Sequence, residues 1–482
     1  MRSFILVSGG NIARQFLIFF AQMYMVRTLG VEVFGELTIA FSLYLVGAGI
    51  SDFGSRLYCW KAVISANIQD RLEEALKQWI SRTFLALFLL IPMLVGILFF
   101  FQGSLRNLLL LYALATLANQ ASFDWFFLAL DRKWSLFFFN AASGVCFVIF
   151  LLLFVRAKGD EVYVPIIFLC SYLMPALLLM GKDVWRKWYV SMGSFRGIET
   201  ILRDGAILPL KSRHYFLYDF LQRLYMTSIF IVAWKFYSRA MIGQFRIAHL
   251  LFTLVASLST YLGAALFNQV HEESKGSRSG TSISYGIAAI LLVVLPFSIS
   301  GYSIIDPIAN LFMTSKVDSA SLQILILGLS LPALANFIRE TSVAGGHSRI
   351  ASSSYLVTIV VTAGLIVIFH QHSHSLAYLS VNLLLGECLG LLYLLYAHPT
   401  PLIVKVRFRT YIVGVMVGGA FWGLEIFLSS ILKTQGKEIL GVEMILMLLL
   451  SYIFYLFFIR KNGMKLWVIE DIENAMGGES LK

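Results

Sequence analysis

The chain has 482 residues, of which 59% are hydrophobic and 13% charged, and its formal net charge is +11. A soluble globular domain carries about a quarter charged residues, so this composition excludes that class and predicts an all-α polytopic membrane protein. The excess of lysine and arginine requires no nucleic-acid partner, because membrane proteins concentrate these residues in their cytoplasmic loops.

Fourteen apolar spans are predicted, each about 20 residues long, which is the length of a transmembrane α-helix and not of a β-barrel strand. They cover about residues 4–26, 36–58, 80–101, 107–130, 134–155, 162–181, 212–234, 241–267, 281–303, 319–343, 350–370, 375–397, 410–432 and 439–459. The longest polar connection is basic and lies after the sixth span. The predicted units are an N-lobe at 1–181, a cytoplasmic linker at 182–211, a C-lobe at 212–397, and 398–482 with the last two spans and a cytoplasmic tail.

The distribution of basic residues predicts the orientation of the spans. With the N-terminus inside, most lysines and arginines outside the spans fall in segments on the cytoplasmic side. The positive-inside rule then places both termini in the cytoplasm, which requires an even number of spans.

An internal repeat is visible at the start of the second and eighth spans. Residues 33–45 (VFGELTIAFSLYL) align without gaps to residues 241–253 (MIGQFRIAHLLFT), and Gly35 falls on Gly243. A duplicated unit of six spans keeps its orientation, since six is even. The repeat therefore predicts two six-helix lobes related by a pseudo-two-fold axis along the membrane normal.

Charged residues inside the apolar spans are the most informative chemistry in the sequence. An ionised group at the centre of a bilayer costs about 2.5–3.5 kcal/mol or more, so it usually faces a cavity or a partner. A guanidinium stays charged and donates paired hydrogen bonds that fit a phosphate. The arginines predicted to bind an anionic substrate are Arg14, Arg56, Arg223 and Arg246.

A second group of charged residues is predicted to couple ions or to balance charge. This group consists of Asp52, Asp124, Asp219, Arg339 and Glu340. The alternative for any member is a polar contact that only holds helices together. Polar residues also follow Arg246 at helical spacing, which predicts a continuous polar face formed by Arg246, His249, Thr253, Ser257 and Thr260.

Other polar residues leave the assignment open or argue against a site. The carboxylates Glu387, Glu425 and Glu443 in the last three spans fit either ion coupling or helix contacts. No CxxC motif and no Cys/His spacing typical of a metal site is present, so neither a metal nor a disulfide is predicted. The absence of GxxxxGK[ST], GxSxG and HExxH predicts a transporter without an ATPase motor and not an enzyme. No cofactor is expected, and coupling to a proton or sodium gradient stays open.

Several short motifs resemble those of a known transporter family. They are Arg27-Thr28-Leu29-Gly30, Phe34-Gly35, Ser51-Asp52-Phe53-Gly54, and Ile242-Gly243-Gln244-Phe245-Arg246-Ile247-Ala248. Together with the span count and the duplication, they resemble the Wzx-type polysaccharide-biosynthesis (O-antigen) flippases. These belong to the multidrug/oligosaccharidyl-lipid/polysaccharide (MOP) exporter superfamily. Phe245 stands where that family usually has tyrosine.

The resemblance implies a V-shaped transporter with a central cationic cavity and two additional helices after the second lobe. Its substrate would be an undecaprenyl-pyrophosphate-linked oligosaccharide, moved by alternating access from the cytoplasmic to the periplasmic leaflet of the bacterial inner membrane. Membrane lipids, a polysaccharide polymerase and a chain-length regulator are the further partners it implies. Relatives that flip the peptidoglycan lipid precursor use arginines on helices comparable to those of Arg14, Arg56 and Arg246.

Two other functions are compatible with the composition. A membrane glycan polymerase or ligase would also be rich in helices and arginine, but it needs an outward-facing catalytic loop, and the predicted outside loops are short. A drug or cation antiporter of the same superfamily would prefer a cavity of carboxylates and aromatic rings. The arginines predicted inside the spans argue against the antiporter.

Overall fold

The structure is a computed structural model that describes residues 2–67, 70–120, 124–130, 132–179, 195–275, 319–370 and 375–398, with a few isolated positions between 283 and 298. Every regular element in these ranges is helical. The α-helices are α1 (Arg2–Leu29), α2 (Val31–Asp52), α3 (Ser55–Ser65), α4 (Arg71–Phe100), α5 (Gly103–Gln120), α6 (Asp124–Ala129), α7 (Lys133–Phe154), α8 (Tyr163–Leu179), α9 (Phe195–Ala233), α10 (Arg239–Lys275), α11 (Ser319–Leu327), α12 (Ser330–Ala344), α13 (Ser348–Phe369) and α14 (Leu376–Ala397).

Six of the described helical stretches are long and apolar enough to cross a membrane unaided. They are α2, α4, α7, α8 with its preceding 3-10 turn, α13 and α14, and the pair α11–α12, bent by 46°, makes a seventh. The chain is therefore a multi-pass α-helical membrane protein. Predicted spans 13 and 14, with Glu425 and Glu443, and most of predicted span 9 lie outside the described residues.

The second predicted span is two helices, because the chain turns sharply after Asp52. Phe53 (φ 49°) and Gly54 (φ 69°) are both left-handed, a conformation that is strained for a bulky side chain. Packing against α9 stabilises this turn. The Phe53 ring stacks on Phe216 with centroids 4.3 Å apart, and Ser212 Oγ donates to the Phe53 carbonyl at 2.8 Å.

The helix of the seventh span starts earlier than its apolar run. α9 has 39 residues and begins at Phe195, so it includes the second part of the predicted linker and passes through Pro209. The proline ring removes one backbone hydrogen bond without ending the helix. Residues 182–194 of the predicted linker lie outside the described part of the chain.

The helices within one half of the chain contact each other in the same pairs as the helices within the other half. In the first half α1 packs on α7, α2 on α5, α7 on α8 and α5 on α8. In the second half the pairs are α9 on α13, α10 on α12, α13 on α14 and α12 on α14. Each pair of the second half lies six predicted spans after its counterpart. Contacts between the halves also match, since α1 packs on α10 and α9 packs on α2.

The two halves approach each other closely at the glycines that the sequence alignment matches. A Cβ atom added to Gly35 on α2 would meet the Arg239 carbonyl oxygen, and one added to Gly243 on α10 would meet the Val31 carbonyl oxygen. Each added Cβ would also lie 3.1 Å from the backbone nitrogen of the other glycine. This reciprocity is the geometry of a two-fold interface. Only glycine allows the backbones to come this close.

The apolar side chains divide between helix contacts and the surface that meets lipid. One buried cluster runs through both halves and includes Phe34, Leu37 and Ala40 of α2 with Phe245 and Ala248 of α10. Large apolar side chains of α4, such as Phe88, Ile91, Phe99 and Phe100, are exposed. Hydrocarbon is the solvent for such a face, so its exposure carries no penalty.

The glycine contact gives a stability prediction. Gly35→Ala and Gly243→Ala should each lower the unfolding free energy by about 1–3 kcal/mol, because the added methyl group has no room between the backbones. The unfolding temperature of the purified protein in detergent measures this. The control is Gly364→Ala on α13, where the added Cβ has no atom of the described residues within 4 Å apart from its own stretch of helix. Equal unfolding temperatures for Gly35→Ala and Gly364→Ala would contradict the close crossing.

Candidate functional site

A cavity of about 350 Å³ lies between the first half of the chain and helices α9 and α10. Its walls come from α1, α2, α5, α7 and α8, and α9 and α10 close it on the other side. Two arginines line it, Arg14 from α1 and Arg246 from α10, whereas no aspartate or glutamate of the described residues does. The lining is therefore cationic.

Tight helix packing positions Arg14 on the cavity wall. α1 and α7 pack closely at two glycines, and a Cβ added to Gly144 would lie 3.1 Å from the Arg14 Cα atom. Arg14 Nη1 donates to Tyr172 Oη on α8 at 3.2 Å, and its guanidinium carbon is 5.7 Å from the centre of the Tyr172 ring. The contact joins α1 to α8 in the wall of the cavity.

Arg246 reaches the cavity from the other half and has neutral neighbours. Its Nη1 atom lies 3.4 Å from His249 Nδ1, and its guanidinium carbon lies 5.4 Å from the centre of the Phe230 ring. No carboxylate among the described residues pairs with it, in contrast to the arginines of the salt bridges described below. The predicted polar face of α10 also lines the cavity with His249, Thr253 and Ser257.

Hydroxyl groups make up much of the remaining polar lining. Six of them donate to backbone carbonyls three or four residues earlier on their own helices. They are Thr38, Ser143, Ser171, Thr227, Thr253 and Ser257. A hydroxyl that has donated its proton presents only acceptor lone pairs to a ligand. The cavity thus offers donors at its arginines and acceptors along its walls.

Arg223 does not line the cavity, because two aspartates hold it. Its Nη2 atom donates to Asp52 Oδ2 and its Nε atom to Asp219 Oδ2, both at 2.9 Å. The other Asp52 oxygen accepts from Arg82 Nη2 at 3.0 Å and from Ser55 Oγ at 2.6 Å. The buried Arg82 and the partly buried Arg223 thereby balance two buried aspartates at the end of α2 that is predicted to face the cytoplasm.

Arg82 was not among the residues predicted for the site. The apolar run of the third span begins only near residue 80, which placed Arg82 at a membrane surface. The helix α4 starts at Arg71 instead, so Arg82 lies well inside it and is buried. Its position four residues after the buried Gln78 is the local signal that these two polar side chains share a face.

Three further predicted residues, Arg56, Asp124 and Glu340, also lie away from the cavity. Arg56 on α3 forms a salt bridge with Asp124 on α6 at 3.3 Å, and 44% of its side chain is exposed. A carboxylate of α12, Glu340, accepts from Tyr218 Oη and from Gln222 Nε2 on α9, both at 3.0 Å. These contacts join neighbouring helices near the end of the molecule predicted to be cytoplasmic.

Arg339 and Glu387 form a closed ion pair inside the second half. Both side chains are fully buried, with Arg339 Nη1 3.4 Å from Glu387 Oε2. The guanidinium carbon lies between two aromatic rings, 4.3 Å from the centre of Tyr355 and 5.0 Å from that of Tyr225. Arg339 also donates to Thr358 Oγ1 at 2.9 Å. This cluster fills the interior of the second half and gives Glu387 a structural contact.

A second salt bridge between the halves lies at the opposite end of α2, which is predicted to face outside. Arg239 Nη1 on α10 is 2.7 Å from Glu36 Oε2, and 48% of the Arg239 side chain is exposed. Ser104 Oγ on α5 donates to the other Glu36 oxygen. Glu36 was not among the predicted site residues, since no basic residue lies within four positions of it in the sequence.

No protein-family model and no curated protein matches the sequence, but solved structures match the fold. The lipid II flippase MurJ in its inward closed conformation has 15% sequence identity and a TM-score of 0.67, over 95% of this chain and 99% of MurJ. An inward-facing multidrug resistance MATE family transporter of the MOP superfamily has 15% identity and a TM-score of 0.56, over 84% of this chain and 95% of the transporter. A MATE transporter in complex with MaL6 has 14% identity and a TM-score of 0.52, over 87% of this chain and 96% of the transporter.

These similarities define the class of protein. The chain is a multi-pass α-helical membrane protein, and its fold is similar to that of the MurJ flippase and of a MATE transporter of the MOP superfamily. At 13–15% identity the likeness concerns the fold alone.

The buried ion pair gives a second stability prediction. Arg339→Met should lower the unfolding free energy by about 3–5 kcal/mol, because it leaves the Glu387 carboxylate buried without its cation. The double variant Arg339→Met/Glu387→Met should recover most of that loss. Arg56→Gln is the control, since an exposed salt bridge contributes about 0–1 kcal/mol. Unfolding temperatures in detergent compare the variants, and a loss for Arg339→Met no larger than for Arg56→Gln would contradict the assignment.

Proposed function

We propose that the protein is a flippase for an undecaprenyl-pyrophosphate-linked oligosaccharide, the repeat unit of O-antigen or another surface polysaccharide. It carries this lipid from the cytoplasmic to the periplasmic leaflet of the bacterial inner membrane. The observation that carries the proposal is the pair Arg14 and Arg246, one from each half of the chain, in a cavity whose described lining has no carboxylate. MurJ, which shares the fold, is named as a flippase of lipid II.

The electrostatics of the cavity favour an anion. Two guanidinium groups without a lining carboxylate leave a positive potential in a low-dielectric site, where an ionic interaction is several times stronger than in water. A pyrophosphate offers several oxygens that accept paired hydrogen bonds from each arginine. Sugar hydroxyls donate hydrogen bonds, and they fit the acceptor oxygens of Thr38, Thr227 and Thr253 on the walls.

The same lining disfavours the two other functions. A cationic drug would meet two arginines instead of the carboxylates that such substrates require. A polymerase or ligase needs a general base beside the acceptor sugar. The described lining has no carboxylate for this role, and the Nδ1 lone pair of His249 is engaged by Arg246.

The proposed architecture has fourteen spans in two six-helix lobes with cytoplasmic termini, divided at the predicted linker. The matching helix pairs of the two halves and the reciprocal contact of Gly35 with Gly243 support a pseudo-two-fold repeat. In this arrangement Arg14 and Arg246 face one cavity from different lobes, so that both halves hold the pyrophosphate.

Alternating access requires the lobes to separate first at one end of α2 and then at the other. Glu36 and Asp52 lie 16 positions apart, about 24 Å along a helix, and each bonds an arginine of the second half. When the lobes separate, each member of the Asp52–Arg223 pair still has a salt bridge within its own half. Asp52 remains paired with Arg82, and Arg223 remains paired with Asp219. At the other end of α2, Glu36 retains the hydrogen bond from Ser104, and water hydrates the half-exposed Arg239. Salt bridges of this kind can break reversibly, whereas breaking an isolated buried ion pair costs about 3–5 kcal/mol.

Charge removal in the cavity tests the function. Arg14→Gln and Arg246→Gln, expressed in a strain that lacks the gene, should reduce surface polysaccharide at least tenfold and accumulate its lipid-linked precursor, because each variant loses an ionic contact with the pyrophosphate. Gel analysis of the polysaccharide and mass spectrometry of extracted lipids measure these effects. Arg27→Gln is the control, since Arg27 is an exposed arginine of the same helix. Normal polysaccharide with the double variant at a normal membrane level would refute the proposal.

Access to the cavity tests the two salt bridges. In a cysteine-free background, Ser42→Cys places a reactive thiol on the cavity wall. Asp52→Asn should increase its labelling by a membrane-impermeant maleimide severalfold in inside-out vesicles, and Glu36→Gln should do so in right-side-out vesicles. Each substitution weakens the salt bridge that closes one end. Unchanged labelling from both sides would show that these pairs do not close the cavity.

A further inference from the structure

We infer that His249 is a positioning residue for Arg246 and directs its guanidinium without cancelling its charge. The two residues are three positions apart on α10, and Arg246 Nη1 lies 3.4 Å from His249 Nδ1. A guanidinium has donors and no acceptor, so the hydrogen bond runs from Arg246 to the imidazole. The Nδ1 atom therefore carries no proton, and a neutral His249 has its proton on Nε2.

Three phenylalanine rings fix the imidazole. The centre of the Phe230 ring lies 5.0 Å from that of His249 in an edge-on contact, and Phe252 and Phe245 lie at 5.8 and 6.1 Å. Only 4% of His249 is exposed. Phe230 also lies under the Arg246 guanidinium, so one ring supports both members of the pair. An acceptor fixed in this way restricts the rotamers of the arginine that binds to it.

The neutral partner distinguishes Arg246 from the structural arginines. Arg223 has two aspartates and Arg339 has a glutamate, and in both cases the carboxylates balance the guanidinium charge. His249 supplies direction alone, so Arg246 keeps its charge for a ligand. This role rests on the proposed function, because the ligand that benefits is the pyrophosphate group. The alternative is that His249 is only a packed ring in the helix interface.

Binding of undecaprenyl pyrophosphate to the purified full-length protein in lipid nanodiscs separates the two roles. His249→Phe keeps a packed ring but loses the acceptor, and it should weaken binding about tenfold, the effect of one hydrogen bond to a charged group. His249→Asn places an oxygen near the position of Nδ1 and should restore binding to within about threefold of the wild type. A purely structural role would make the smaller Asn the more damaging substitution.

A double-mutant cycle tests whether His249 acts through Arg246. In the Arg246→Gln background, His249→Phe should have no further effect on the affinity for undecaprenyl pyrophosphate, because its partner is already absent. Additive losses in the double variant, or binding by His249→Asn as weak as by His249→Phe, would overturn the inference.

Nitrogen-15 NMR of labelled histidines tests the contact without any ligand. The chain has eight histidines, and the His249 signal is assigned by its loss in His249→Asn. An unprotonated Nδ1 that shifts in Arg246→Gln supports the inference, whereas a protonated Nδ1 or an unchanged signal refutes it. If the wild type does not bind undecaprenyl pyrophosphate but the signal shifts, the proposed substrate is wrong and the positioning contact stands.

Discussion

The cost of an unpaired charge inside a membrane protein determines how this molecule uses its arginines. A buried guanidinium needs a counter-charge or a wet cavity, since the apolar surroundings do not solvate it. Arg223 and Arg339 have carboxylate partners, and their contacts hold helices together. Arg246 contacts an imidazole and a phenyl ring, pairs with no carboxylate of the described residues, and faces a cavity. The choice of partner therefore separates the arginines that stabilise the fold from one that is available to a ligand.

The helix α2 connects these two uses of charge. Residues in its middle line the cavity, and the acids near its ends, Glu36 and Asp52, bond arginines of the second half. Its N-terminal part crosses α10 at a glycine, which brings the halves together at backbone distance. A movement of the second half relative to α2 would change both the access to the cavity and its shape. One helix thus joins the geometry of the site to the relative position of the halves.

The two halves share a scaffold but have different interiors. Their helices pair in the same order, yet the helices of the first half form most of the cavity wall, whereas Arg339, Glu387, Tyr225 and Tyr355 fill the described interior of the second half. The same helix arrangement thereby borders a cavity in one half and encloses a polar core in the other. Function in such a fold resides in the side chains placed on it and not in the scaffold.

The sequence alone determined the features that depend on local periodicity. Apolar runs determined the class of protein, residue spacing predicted the polar face of Arg246, His249 and Ser257, and a gapless alignment matched Gly35 to Gly243. Only the tertiary structure decided which arginines face the cavity. Arg223 and Asp52 are 171 positions apart, so no local pattern reveals their salt bridge. The turn at Phe53 likewise depends on the approach of α9. Charge compensation acts through space, whereas helical periodicity acts along the chain.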